Sequence, residues 1–335
     1  MSTTSRRQEG QPSLLRCVLG NTVEPTTASG SMPNMSVAFG MQRSSKMVEL
    51  DASLGSTADR NGGAVQLPQL VQQTAVITGS SRGVGAATAL IYAARRWNIV
   101  LNCSRSVDAA EQVAEQCRSA GARDVLIVPC DISEEAGCHK LIDAAVARFG
   151  VIDVLINNAG TTKFTSHHNL GGLDVQDFHR IYQLNTVAPF LLARRAAPHM
   201  RVSGAIVNVS SVAGLHGIGS SIAYAASKGA LNAITKSLAR VLGESKRVRV
   251  NAVCPGFIRG DWLEQGLGSS VYEHAKASYE RGTVLHSTLS PADVAGSLVA
   301  LADAPMVTGQ LLAVDAGMGL SVVALPPGVE TRSHL

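Results

Sequence analysis

Aromatic residues are scarce in this chain of 335 residues: Phe, Tyr and Trp together make up 4% of it. Charge is thin too, at 16% Asp, Glu, Lys and Arg, with a net charge of +4. The basic residues do not gather into long runs, which argues against a nucleic-acid groove. No apolar stretch reaches the roughly 20 residues needed to cross a bilayer, so no membrane span is expected. The six cysteines, Cys17, Cys103, Cys117, Cys130, Cys138 and Cys254, form no C-x-x-C pair and no zinc spacing. They read as free thiols in a reducing compartment. His167 and His168 have no carboxylate or third histidine at ligand spacing, so no metal is assigned. Glycine is plentiful, at 32 residues, and 45% of the chain is hydrophobic. That balance suits a soluble α/β protein with a large core and many tight turns.

Residues 1–69 are rich in Ser, Thr, Gly, Gln and Met, without a sustained apolar period, and are expected to be a disordered extension. Arg6, Arg7, Arg16, Arg43 and Lys46 give this segment some organelle-transit character, which Glu9 and Glu24 interrupt. A nonessential extension, or an upstream start codon ahead of Met47, explains it at least as well. The ordered domain is expected over 70–320, with a tail at 321–335.

Order begins at Thr74-Ala75-Val76-Ile77-Thr78, a short β-branched run typical of a buried strand. It leads into Gly79-Ser80-Ser81-Arg82-Gly83-Val84-Gly85 and a helical stretch over 86–95. Strand, glycine turn and helix form the context in which a glycine motif is informative. Glycines permit a sharp turn and close approach of a pyrophosphate, and a helix N-terminus offers N–H groups to an anion. The same turn could also merely close a tight connection. Beyond it, strands expected at 99–103, 125–130, 152–156, 205–209, 248–253 and 311–314 alternate with helical segments, of which 223–242 is the longest. Repeated βα units imply a single doubly wound, Rossmann-type parallel sheet with helices on both faces. Ligands of such sheets lie beyond the carboxyl ends of the strands. Gly79 to Gly85, Asp131, Asn157 to Gly160, Ser210, Ser211, Pro255 and Gly256 all fall there.

One helical candidate pair is Tyr224 and Lys228. A four-residue step puts both on one face. A free phenol, with a pKa of about 10, is a poor acid or base at neutral pH. A nearby ammonium stabilises the phenolate and draws that value down. The pair could thus move a proton on and off an alcohol oxygen. Two such residues can also be a partly buried side chain beside a solvated one.

Together, Thr78-Gly79-x-x-x-Gly83-x-Gly85, Asn157-Asn158-Ala159-Gly160, Asn185, Ser211, Tyr224-x-x-x-Lys228 and Pro255-Gly256 resemble the short-chain dehydrogenase/reductase family over about residues 70–320. Within it, the segment resembles the 3-oxoacyl-acyl-carrier-protein reductases of fatty acid metabolism. The resemblance implies that Tyr224 is the general acid/base. Lys228 would lower its pKa and bind the nicotinamide ribose, Ser211 would hold the substrate oxygen, and Asn185 would anchor a proton-relaying water. The family spacing of thirteen residues before the tyrosine selects Ser211 over Ser210. An NADPH-dependent carbonyl reductase is implied, acting on a 3-oxoacyl thioester or related ketone. Alternatives are a steroid, sugar or quinone reductase, and a sensor that binds NADP without turnover.

For the cofactor, the resemblance points to Gly79, Ser81, Arg82, Gly83, Val84 and Gly85 at the pyrophosphate and to Asp131 and Ile132 at adenine. Asn158, Ala159 and Gly160 would form the floor, with Tyr224 and Lys228 at the ribose and Pro255, Gly256 and Ile258 at the carboxamide. Relatives that prefer NAD often carry an acid at the end of the second strand. Here that region reads Leu101-Asn102-Cys103-Ser104-Arg105-Ser106. With no acid present, Ser104, Arg105 and Arg82 favour NADP(H), since a guanidinium binds phosphate bidentately. Residues 257–289 are the least regular part of the ordered region and correspond to the family's substrate lid, where Arg259 or Trp262 would either meet substrate or pack the lid. Ala316 stands where the family usually has glycine. A homodimer or homotetramer through the helices near 187–201 and 223–242 is implied. The cytoplasm is the expected location. The terminal Ser333-His334-Leu335 resembles a peroxisomal address and leaves that compartment as the alternative.

Overall fold

The computed structural model describes residues 72–320. The expected N-terminal extension and the tail with Ser333-His334-Leu335 lie outside the described residues. Seven strands form one parallel sheet: β1 Thr74–Ile77, β2 Asn98–Cys103, β3 Asp124–Pro129, β4 Ile152–Asn157, β5 Met200–Val209, β6 Arg249–Pro255 and β7 Leu311–Val314. Their spatial order is β3-β2-β1-β4-β5-β6-β7. The helices between them are α1 Gly83–Ala94, α2 Val107–Ser119, α3 Glu135–Phe149, α4 Val175–Tyr182 and α5 Ala188–Ala196. They continue as α6 Ala213–His216, α7 Ile222–Lys246, α8 Asp261–Leu267, α9 Ser269–Gly282 and α10 Pro291–Asp303. This is the doubly wound Rossmann-type sheet that the βα alternation implies. The strand order reverses between β1 and β4, which opens a crevice at their carboxyl ends.

The strands alternate their side chains between two cores, as a two-residue period requires. Ala75, Ile77, Ile99 and Leu101 face α1, α2 and α10, where Tyr92, Cys117 and Leu298 are fully buried. Val76, Val100, Leu155 and Ile206 face α3, α5 and α7, against Leu141, Leu192 and Ala239. Because both faces are covered, the strands read as continuous apolar runs rather than alternating ones. Capping boxes start α4, at Asp174 and Asp177, and α10, at Ser290 and Asp293. In each, the two side chains satisfy N-terminal amides that the helix cannot pair itself.

Three expectations need correction. The segment 257–289 is not irregular, since it folds into α8 and α9. Its few apolar residues leave α8 without any buried side chain, which weakens its helical period. The helices expected near 175–201 are α4 and α5, joined by a π turn over Gln183–Val187, but the chain is already extended at Met200. β5 therefore starts five residues before the expected 205, and its pairing with β4 shifts register between Ile152 and Val154. Gly204 lies in the polar lead of this strand, where a Cβ would come within 2.9 Å of the carbonyls of Arg201 and Asp153. Glycine and exposed polar residues obscure the strand signal there.

Candidate active site

The turn after β1 is built by backbone requirements. Gly79 and Gly83 both have φ of +58°, a conformation that penalises any Cβ. At Gly85 a Cβ would lie 2.6 Å from the Gly79 carbonyl and 2.7 Å from the Asn158 amide nitrogen. No side chain caps α1 and its first turn holds no acid, so the helix presents its positive end to the turn. Thr78 fastens the turn to β4: its Oγ1 accepts from the Asn158 and Ala159 amides at 2.9 and 3.0 Å. Asn158 Nδ2 returns bonds to the carbonyls of Thr78 and Gly79.

Asn102 performs the same task toward β2 and β3, and the sequence reading assigned it no role. Its Oδ1 accepts from Gly79 N at 3.3 Å, and its Nδ2 donates to the carbonyls of Val128 and Cys130. The available signal was a polar residue that ends the apolar run Ile99-Val100-Leu101. Beyond it, Ser104 and Arg105 are exposed, as is Arg82, whose Nη2 donates to Ser106 Oγ at 2.9 Å. Ile132 is buried, and Asp131 Oδ1 accepts from Ser133 N and Oγ at 2.9 and 2.7 Å. Both arginines thus flank the end of β2. No acid pairs with either among the described residues.

Ser221 caps α7 by accepting from Tyr224 N at 3.2 Å, which fixes Tyr224 in the first helical turn. Lys228 follows one turn later, its Nζ 5.7 Å from the centre of the Tyr224 ring. Lys228 is buried and its Nζ donates to the Val209 carbonyl at 2.7 Å. The Ser211 hydroxyl, which accepts from Ala213 N at 3.1 Å, is near enough to the Tyr224 phenol to lower its pKa. Ser210 points the other way: its Oγ donates to Asn232 Oδ1 at 2.6 Å and Asn232 donates to Gly214 O. Ser211 is thus the serine on the Tyr224 side, and Ser210 with Asn232 is a buried brace between β5 and α7.

Asn185 sits in the π turn with no exposed surface. Its Oδ1 accepts from Thr161 N at 2.8 Å, and its Nδ2 donates to Thr161 O and Ser227 Oγ. Gly160 lies between Asn185 and Lys228: a Cβ there would stand 3.3 Å from Asn185 Oδ1 and 3.6 Å from Lys228 Nζ. On the far side, Gly256 admits Tyr279, whose hydroxyl donates to Asp315 O at 2.7 Å. Ile258 forms a bridge with Leu289. All the residues expected at the site thus gather along the carboxyl edge of the sheet. His168 is exposed and no group of metal-ligating residues occurs among the described residues.

One electrostatic expectation fails. Burial pushes the Tyr224 phenol up to about 12, and Ser211 only partly offsets this. Burial also pulls the Lys228 ammonium down to about 8. Lys228 does not hold the phenol below its ordinary value here, because both groups are desolvated and the ammonium is committed to the Val209 carbonyl. Desolvation disfavours each charged form separately.

A family profile described as short chain dehydrogenase matches residues 73–266, and the chain belongs to the short-chain dehydrogenase/reductase family, whose members are NAD(P)(H)-dependent oxidoreductases. It is 39% identical over 249 residues to a protein of Streptomyces violaceoruber named as ketoacyl reductase 2 of the granaticin polyketide synthase, covering 73% of this chain and 96% of that one. It is 34% identical to the 3-oxoacyl-[acyl-carrier-protein] reductase of a Synechocystis species, over 74% of this chain and 98% of the relative. A crystal structure of a Burkholderia xenovorans protein described as a short-chain dehydrogenase/reductase superposes with a TM-score of 0.67 at 37% identity, covering 75% of this chain and all of that one.

The buried lysine has a measurable consequence. Its folded pKa of about 8 lies below the unfolded value of 10.5. Between these two values the unfolded chain binds the extra proton, so Lys228 makes stability rise with pH. Below about pH 8 both states are protonated and this contribution is flat. Denaturant titrations at several pH values are expected to show this rise in the unaltered protein and to lose it in Lys228→Met. Parallel pH dependences in the two proteins would refute it.

Proposed function

We propose that the protein is an NADPH-dependent ketoreductase acting on a 3-oxoacyl thioester or a related ketone. The observation that carries this reading is the convergence of Ser211 and Tyr224 on one another above the buried Lys228, beside the glycine turn at β1. The residues present fit the cofactor: Gly79, Gly83 and Gly85 leave a cradle without side chains, and α1 opens onto it uncapped. Ser81, Val84, Asp131, Ile132, Asn158 and Ala159 would complete its seat, with Pro255, Gly256 and Ile258 at the nicotinamide end. When bound, the nicotinamide supplies the hydride.

The chain's own residues do the rest. Ser211 and Tyr224 present hydroxyl donors to the carbonyl oxygen, where alkoxide charge develops; donors aimed at such charge are a dominant source of rate. The phenol remains protonated far above neutrality, so it is ready to donate. As the proton leaves, the charge created on Tyr224 is met by the ammonium of Lys228 next to it. A water held between Asn185 and Lys228, beside Gly160, would return the proton through Lys228.

NADP(H) rather than NAD(H) is favoured by the exposed guanidinium groups of Arg82 and Arg105 at the end of β2, where no acid stands to repel a 2′-phosphate. The 3-oxoacyl class is supported by the relatives named as ketoacyl and 3-oxoacyl reductases. A polycyclic phenolic ketone is a second reading, since a protein named versicolorin reductase is 31% identical over 95% of its length. A homo-oligomer is supported by apolar side chains left open on α4, α5 and α7: Phe178, Tyr182, Phe190 and Val241 are all exposed. A hollow of about 350 Å³ lies beside Phe178 and Tyr182, lined also by His179, Gln183, Ala223 and Ala226. Such a patch is unusual on a lone subunit. Residues 70–320 form the catalytic domain in this reading. The cytoplasm is its compartment, with the peroxisome as alternative. No described helix is long and apolar enough to cross a membrane. Imaging a chain whose C-terminus is left free separates the two locations.

Three measurements test these statements. Tyr224→Phe is expected to lower kcat by about 10³-fold with little change in NADPH affinity, the loss typical of a general acid. Cofactor binding with no turnover on a panel of ketones and acyl thioesters, and no effect of that change, would favour a sensor. Arg105→Asp is expected to shift the ratio of kcat/KM for NADPH over NADH by at least about tenfold toward NADH, as loss of a charge-assisted phosphate contact predicts; an unmoved ratio rejects the phosphate site. Light scattering is expected to give a mass of two or four chains, and Phe190→Glu to reduce it. A monomer in the unaltered protein would contradict the oligomer.

A further inference from the structure

Two aromatic rings meet above the carboxyl edge of the sheet, one from each side of the site. Phe164 lies in the connection after β4. Thr165 N donates to Ser220 O at 2.9 Å, and the hydroxyls of Thr162 and Ser220 stand 2.7 Å apart. Ser220 adjoins Ser221, the cap that fixes Tyr224, so Phe164 is held in register with the phenol. Trp262 comes from the opposite side, on α8, which follows β6 and Gly256. The two ring centroids are 5.5 Å apart and the planes are inclined by 55°.

The contact is built into both elements. Gly266 lies four residues beyond Trp262 and so shares its helix face. A Cβ at Gly266 would fall 1.9 Å from Phe164 Cε2. The missing side chain is what admits the ring. The contact does not consume the indole, however: Trp262 remains 49% exposed, whereas Trp97, the other tryptophan, is 8% exposed in the core against Tyr92. Leu215 in α6 and Ile218 in the loop after it are also exposed, and Gly219 in that loop lies beside the Tyr224 ring. Of the charged sequence neighbours, Lys163 is turned to Asp177 at 2.6 Å, and Asp261 is exposed beside Trp262. An indole anchored at one side and open at the other is a stacking surface.

The geometry points to Phe164 and Trp262 as a specificity-determining wall that takes an aromatic ring fused to, or next to, the reacting ketone. This inference rests on the ketoreductase reading and names the substrate class of that same site. A straight acyl chain gains only burial against such a wall. A ring gains offset or edge-to-face pairing in addition, worth a few-fold in selectivity.

The test compares β-tetralone with β-decalone, bicyclic ketones of one skeleton that differ in whether the distal ring is aromatic. With NADPH, Trp262→Ala is expected to lower the tetralone-to-decalone ratio of kcat/KM about fivefold, and Trp262→Phe to hold it within about twofold. Binding is read separately, without cofactor, in a Trp97→Phe protein whose remaining indole is Trp262. β-Tetralone is expected to quench it saturably and β-decalone not to. A ratio unchanged by Trp262→Ala, or a fluorescence titration that is flat or equal for both ketones, overturns the aromatic wall and leaves the ketoreductase reading standing. Saturable quenching by tetralone alone, with neither ketone reduced, upholds the wall and overturns the ketoreductase reading.

Discussion

The bond from Lys228 Nζ to the Val209 carbonyl ties the chemistry to the fold. A buried ammonium is costly unless it is hydrogen-bonded. Here the carbonyl at the end of β5 meets that need at 2.7 Å. The same bond draws the first turns of α7 down onto the strand, which brings Tyr224 over Ser211, two residues past Val209. Behind it, Ser210, Asn232 and Gly214 form a second tie between strand end and helix. The rotational setting of α7 is therefore fixed by several buried polar contacts, the bonds of Asn185 to Ser227 and of Asn208 to Thr235 among them. Polar contacts of this kind demand one geometry, whereas apolar packing tolerates several.

A similar economy holds the cofactor side. Thr78, Asn102 and Asn158 use short polar side chains to pair backbone groups that the strands release as they end. Buried peptide groups must find partners, and a strand that stops inside a covered sheet leaves several unpaired. These three residues satisfy them without bulk, so the glycine turn keeps its shape while its surface stays bare. Stiffness beneath the site and vacancy above it come from one set of contacts.

Much of this was legible in the chain itself. The apolar strands from Thr74 and Ile99 announce themselves by β-branched runs, because a sheet covered on both faces needs no polar alternation. The glycine turn, Asn158-Ala159-Gly160, Ser211, Tyr224 and Lys228 are recognisable through the family that the set together resembles. What escaped was of another kind. Asn102 and Asn232 are single polar residues in long elements, and their partners lie at Gly79 and Cys130, or at Ser210 and Gly214. The π turn around Asn185 leaves no mark in the pattern of its neighbours. The helices α8 and α9 were missed because α8 buries none of its side chains.

The sequence by itself determined the succession of strands and helices, the bare turn after β1, and the one-turn interval between phenol and ammonium. Each is local, written in residue type and spacing. Only the tertiary structure decided that burial raises the Tyr224 pKa despite the nearby ammonium, and that Phe164 meets Trp262. These outcomes depend on desolvation and on contacts between residues far apart in the chain. Both are set by how the layers pack around the sheet.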